Sequence, residues 1–492
     1  MSLKLLKNAK IFHRGSFKKH LGILINGEII EYLPRESEFK YLNPLVDEID
    51  LQNYRVIPGF IDTHTHMVGH GLSLMESKVD HVNSKEDLLD FIAEDVKNRK
   101  EEIYIYSDFD ESTWKKSELP TREELDKISS KPVFLRRICG HFGIGNSAFL
   151  EKCLSLKEIR KDKIDSQRGF FYEDIPLKLY TLFPPTTERL KQAILKAQYE
   201  FLKNGITSIH EFGSPAYFKA YEELESEGKL KIRVYFSFYE RYLEDVIKSG
   251  LISDFGNNRL RIGGIKLFAD GSVGAETAYF SFKYGEKGSR GILLFDEDKL
   301  TEIMHKAENS GLRLLVHAIG DAAIETVLKV YEKSRNPDLH RIEHFEFPTK
   351  SSIERAQRLQ VQISLQPNFT GKWGGTGGMY EKKLGKRWEL NNPIKTLLQS
   401  DVIFAFGSDA MPPDPLFGIN SAINHPVEKE RIDTETAISL YTEKAAFLSF
   451  ENTVKGRIEE NYLSDLVVID ENLKEVKMVF IGGECIYDGR GN

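Results

Sequence analysis

The chain has 492 residues, 40% hydrophobic and 29% charged, which is enough for a large core with one or two attachments. Its net charge of −7 and pI near 6.1 provide no basic field, and no basic patch with interleaved aromatics occurs, so nucleic acid is not expected as a partner. Cys139, Cys153 and Cys485 lie far apart without a Cys-x-x-Cys pattern, which argues against a disulfide framework and fits a reducing compartment. The opening Met-Ser-Leu-Lys-Leu-Leu-Lys-Asn contains no long apolar run, and no stretch of about 18 apolar residues occurs anywhere, so the expectation is a cytoplasmic protein without signal peptide or membrane span.

Residues 1–55 alternate short β-like runs with turns: Ala9–Phe12, Leu21–Ile25 and Glu28–Tyr32, the last two separated by Asn26-Gly27, a strong hairpin signal. Residues 455–492 read the same way, with Asp465–Ile469, Val476–Ile481, a Gly482-Gly483 turn and Glu484–Tyr487. One composite β-sandwich built from both termini accounts for this. Next comes Arg55-Val-Ile-Pro-Gly-Phe-Ile-Asp-Thr-His-Thr-His66, read as a single buried strand ending in two histidines. Seven further strand-like runs follow: Gly205–Glu211, Lys231–Phe238, Gly263–Phe268, Leu312–His317, Arg341–Phe345, Val361–Leu365 and Val402–Phe406. Helix-compatible segments separate most of them. In Thr187–Asn204, Leu190, Ile194, Ala197 and Phe201 form one stripe, with Thr187 as cap and Gly205 as stop. Eight such strands predict an α/β fold, a (β/α)8 TIM barrel over 56–67 and 200–454, in preference to an open doubly wound sheet. The interval 68–199 is far too long for a βα loop. Its own runs (Glu102–Tyr106, Pro132–Arg136, a helix at Lys85–Lys97) predict an inserted α+β subdomain over the barrel mouth.

Polar residues stand where barrel chemistry is performed, at the C-terminal strand ends. His64 and His66 end the first strand, Lys266 nears the end of the fourth, His317 ends the fifth, His344 nears the end of the sixth, and Asp409 follows the eighth. Each alone reads equally well as a core histidine or a helix-capping aspartate. Together they suit a transition-metal site, with imidazole nitrogens and a carboxylate that doubles as proton acceptor. A buried lysine beside cations loses basicity, and its neutral amine can add carbon dioxide to give a bridging carbamate. The plain alternative is a lysine paired with a carboxylate or an anionic substrate.

These residues sit in motifs that resemble the amidohydrolase superfamily of metal-dependent hydrolases, and within it the YtcJ-like or type-3 amidohydrolases. The carriers are Pro58–His66, Pro132–His141, Ile206–Glu211, Gly264–Ser272, Val316–Asp321, Arg341–His344 and Phe406–Asp409, spanning nearly the whole chain. The resemblance implies a barrel with a composite sandwich. It also implies that His64, His66, His317, His344 and Asp409 hold one or two divalent ions, zinc foremost, with Lys266 as a carboxylated bridge. By the same resemblance His141 and Asn146-Ser147 meet substrate, and Glu173 is a substrate contact or a rival ligand to Lys266. After the seventh strand the family often shows Gln-Pro-His, whereas here Gln366-Pro367 leads to Asn368 as a substrate-side residue. The Gly371–Met379 loop is glycine-rich and reads as a lid or as a surface segment.

The reaction expected is hydrolysis of a non-peptide amide or other C–N bond in a small molecule, with Asp409 as general base and then proton donor, and His141 or a metal stabilising the oxyanion. Heterocycle deamination at one metal is the alternative, although His317 is followed by Ala-Ile-Gly-Asp rather than His-x-x-Glu. Esters or lactones would use the same site. A homodimer is the default assembly.

Overall fold

A computed structural model describes residues 3–42, 45–157 and 159–490. Its centre is an eight-stranded parallel sheet: β1 (Phe60–Thr65), β2 (Ile206–Gly213), β3 (Arg233–Tyr239), β4 (Leu260–Phe268), β5 (Leu314–Ala318), β6 (Arg341–His344), β7 (Gln362–Leu365) and β8 (Phe404–Phe406). Each strand pairs in parallel with the next in chain order, an arrangement that needs a crossover connection between every two strands. The strands are rich in β-branched and aromatic residues and buried on both faces, because helices such as Glu297–Asn309 and Asp321–Tyr331 cover the outside. The sheet is a nearly closed barrel. At the seam between β1 and β8, the Asp62 carboxylate accepts from the Ser408 amide at 2.8 Å and from its hydroxyl, and the Asp409 amide donates to the His64 carbonyl at 2.7 Å. Gly407 permits that approach, since a Cβ there would lie 2.6 Å from the His64 amide nitrogen.

The single strand expected over Arg55–His66 is in fact two. Arg55–Pro58 pairs with Lys10–His13 and Leu466–Ile469 in a six-stranded sheet, and β1 begins at Phe60. Gly59 is the hinge: its amide donates to the Asp465 carbonyl at 2.8 Å, and a Cβ would meet the Thr207 hydroxyl at 2.1 Å. That sheet faces a four-stranded one (Leu3–Lys7, Ile23–Asn26, Ile29–Tyr32, Asp47–Asp50) across a shared core that includes Leu6, Ile25 and Ile30 opposite Ile11, Val56, Val468 and Phe480. Arg233 of β3 grips Asp465 in a buried bidentate pair of 2.6 and 2.8 Å, fastening the barrel to this sandwich.

Residues Gly69–Ala193 form a second compact unit. Its six-stranded sheet is packed on both faces, and strand alternation sorts the residues. Tyr104, Tyr106, Val133 and Leu135 enter one cluster, while Ile105 and Phe134 enter the other. The helix Thr187–Lys203 buries the expected Leu190, Ile194, Ala197 and Phe201, but its cap is Thr186, whose hydroxyl accepts from the Arg189 amide at 3.3 Å. The Gly371–Met379 segment begins in a helical turn, Pro367–Trp373, and leads into another, Met379–Leu384. No helix of the described residues is long and apolar enough to cross a membrane.

Candidate active site

The C-terminal end of the barrel collects the imidazoles. His64 and His66 reach the same point from the end of β1, and with Asp409 they place one donor atom each within 4.8 Å of one another. His66 Nε2 lies 3.1 Å and His64 Nε2 3.5 Å from Asp409 Oδ1. The His344 ring centroid is 4.6 Å from that of His64 and 4.4 Å from that of His317. Three strands and the turn after β8 therefore converge.

His344 follows Glu343 directly, and strand alternation would send the two side chains to opposite faces. Both serve the site because His344 and Phe345 adopt left-handed φ values of 74° and 47°, which turn the chain as β6 ends. Asp409 and Ala410, at 54° and 56°, make the corresponding turn after β8. Non-glycine residues held in this region signal strain imposed by surrounding structure.

Each imidazole is set for a role. His64 Nδ1 donates to Glu343 Oε2 at 2.6 Å, which leaves the Nε2 lone pair facing Asp409. Glu343 Oε1 accepts from Arg341 Nε at 2.5 Å, and Arg341 Nη1 donates to His210 Nδ1 at 2.7 Å, a chain buried from end to end. His317 Nε2 donates to the Gly271 carbonyl at 3.1 Å, leaving Nδ1 free to ligate. Burial, reinforced by the charge of Lys266, pushes His317 down to about 3. Burial first, then neighbouring positive groups, holds His64 and His344 well below the usual imidazole value. These three rings are neutral near pH 7, the state that binds metal. For His66 the effect of burial is outweighed by the hydrogen bond and charge of Asp409, and its basicity rises.

Lys266 is 1% exposed, and its Nζ finds no hydrogen-bond partner among the described residues. It lies 4.7 Å from the Phe212 ring centroid and 5.1 Å from that of Phe268. Burial lowers it to about 8. His344 Nδ1 is a second buried orphan. A set of neutral imidazoles, one carboxylate, and unsatisfied nitrogen atoms facing one volume fits a divalent cation, because an unpaired buried polar atom is costly unless something absent from the chain satisfies it.

The remaining predicted residues have partners of their own. His141 and Glu173 belong to the second unit, where they pair at 2.9 Å with about half of each side chain exposed. Asn146 is corrected: it is fully buried, caps the helix Ser147–Ser155, accepts from the Val133 and Phe149 amides, and donates to the Ser129 and Lys131 carbonyls. No polar group of its side chain is left for substrate. Asn368 is also enclosed, donating to the Pro412 carbonyl at 2.8 Å and accepting from the Tyr441 hydroxyl at 3.1 Å. It ties the β7 turn to the β8 turn. Glu343, Arg341 and His210 lay within or beside the motifs but received no role from sequence, because alternation could not say that Glu343 and His344 share a face.

Comparison with known proteins agrees with this geometry. The family model described as "Amidohydrolase family" matches residues 47–487. The putative amidohydrolase YtcJ of Bacillus subtilis is 29% identical over 91% of this chain and 92% of its own. An N-substituted formamide deformylase of Arthrobacter pascens is 22% identical over 96% and 95% of the two chains. The crystal structure of an uncharacterized metal-dependent hydrolase from Pyrococcus furiosus superposes with a TM-score of 0.85 at 30% identity, covering 96% of this chain and 99% of that one. With imidazoles and a carboxylate gathered at the barrel's C-terminal end and a family match along most of its length, this chain belongs to the Amidohydrolase family and is a hydrolytic enzyme acting on C–N bonds.

Proposed function

We propose that the enzyme hydrolyses a non-peptide amide or closely related C–N bond of a small molecule, with one or two divalent ions, zinc foremost, held by His64, His66, His317, His344 and Asp409. The observation that carries this reading is the convergence of four imidazoles and Asp409 beside the orphaned Lys266 amine. That one relative bears the name of a formamide deformylase supports the bond class. A bound divalent ion supplies Lewis acidity there, polarising a carbonyl and making water more acidic.

The residues of the chain do the rest. Asp409, hydrogen-bonded to His66, takes a proton from the attacking water and returns it to the leaving nitrogen. Water oxygen bonds to the acyl carbon, the C–N bond breaks with its electron pair going to nitrogen, and the products are a carboxylic acid and an amine. His64 is held in one tautomer by Glu343, so its donor nitrogen needs no reorganisation. The Lys266 amine, buried and of lowered basicity, is suited to add carbon dioxide and become an anionic ligand in place of a repelled ammonium.

The test is metal content per chain, by elemental mass spectrometry on protein purified without chelator, for wild type and Lys266→Ala. About two ions falling to one or fewer is the expected result for a carbamate bridge. One ion in both proteins removes the bridge and turns Lys266 toward substrate. A wild type that retains no ion, and gains no activity on an amide panel after zinc is added, ends the proposal.

A further inference from the structure

The mouth of the barrel is divided by chemistry. The imidazoles and Asp409 come from β1, β5, β6 and the turn after β8. The sector between, from β2 to β4, ends in three aromatic residues: Phe212, Tyr239 and Phe268. Alternation places them toward the site. Phe268 stands two residues beyond Lys266 on the same face of β4, and Tyr239 registers beside Lys266 across the β3–β4 ladder. Distances agree. The Phe212 centroid lies 4.6 Å from that of His64, and the Phe268 centroid lies 5.4 Å from His317 and 6.2 Å from Tyr239.

Phe268 is the informative member. Its strand is otherwise buried beyond Arg261, yet Phe268 is 36% exposed, immediately beside the ligand His317. A large apolar ring left open to solvent at a reacting centre costs hydrophobic free energy that a bound apolar group recovers. Tyr239 is half-buried, and Arg241 stacks on its ring at 5.3 Å on the adjoining turn. Its phenol is kept neutral, since burial raises it above the usual tyrosine value.

We propose that the substrate carries an aromatic substituent next to its scissile bond, and that Phe268 and Tyr239 form the subsite that selects it. The reacting carbonyl and nitrogen then lie over the imidazole half while the ring seats on the aromatic half. This deepens the hydrolytic reading above and rests on it.

The experiment is calorimetric titration of the zinc-loaded enzyme with two non-hydrolysed chelating probes, acetohydroxamate and benzohydroxamate, which share a metal-binding head and differ by a phenyl ring. Wild type is expected to bind benzohydroxamate roughly ten- to a hundredfold more tightly. Phe268→Ala is expected to bring the two affinities together through loss of benzohydroxamate binding alone, with metal content unchanged, while Phe268→Leu keeps part of the preference. Equal affinity of the probes in wild type overturns the aromatic subsite while leaving the hydrolase reading standing. So does a preference that survives intact in the Phe268→Ala/Tyr239→Ala double variant. Failure of both probes to bind zinc-loaded wild type strikes at the metal site itself, and the subsite falls with it.

Discussion

Asp409 and Glu343 are both acidic residues at the barrel mouth, yet the structure gives them different work. Asp409 faces two imidazoles and is partly open, with 15% of its side chain exposed, so it can meet a water molecule. Asp409→Asn keeps the shape and removes the proton acceptor. The expected loss in kcat is about a thousandfold, with much of the metal retained; turnover at the parent rate would show that the base is another group. Glu343 is fully buried and faces His64 and Arg341. Glu343→Gln is expected to weaken zinc retention by about 10–100-fold in chelator competition. If zinc affinity is unchanged and only the melting temperature of the metal-free protein falls, Glu343 is a structural ion-pair partner and nothing more.

Short elements show how local rules are bent to hold the site. The β6 end keeps both Glu343 and His344 useful by leaving the strand in a left-handed turn, and the β1–β8 seam closes only because position 407 lacks a side chain. In the second unit, Asn146 satisfies four backbone groups at once, which is a structural task. Asn146→Ala should therefore cost about 2–4 kcal/mol in urea denaturation, combining a lost cap with stranded buried groups. Unchanged stability together with a raised KM would restore the reading of Asn146 as a substrate contact.

Across the whole molecule, the proposed metal site makes cation binding and proton binding compete for the same imidazoles. His317 titrates near 3 in the folded chain and near its ordinary 6.5 when unfolded. Between those values the unfolded chain binds the proton and the folded one does not, so stability falls as pH drops below about 6.5. Above that value neither state is protonated and no loss occurs. In chelated protein, acidification from about pH 7 to pH 5 should therefore destabilise wild type more than His317→Asn in paired denaturant titrations. Equal slopes would mean that His317 is not held neutral. Chelation should also loosen the barrel unit selectively, because a ligand that binds only the folded state stabilises what it touches. Hydrogen exchange is expected to rise in β1, β5 and β6 and to stay unchanged in Tyr104–Phe109 and Val133–Arg137 of the second unit.

The barrel's strands, the terminal β-runs and the His/Lys/Asp set at strand ends were legible in the sequence, because they rest on short-range regularities. Strand alternation, the Asn26-Gly27 turn and the strip of Leu190, Ile194, Ala197 and Phe201 are written in neighbouring residues. So were the hydrolase motifs, each a local string. What lay beyond it are relations between residues far apart in the chain or dependent on a single backbone angle. The break at Gly59 depends on Thr207, and the seam depends on Asp62 finding Ser408. The tautomer of His64 is set by a glutamate 279 positions away, and Asn146 looked like a substrate contact until its four backbone partners came together around it. Local pattern determines which elements form and which side chains stand at their ends. Tertiary structure decides which of them meet, since hydrogen-bond partnership and burial arise only when distant segments are packed in one place.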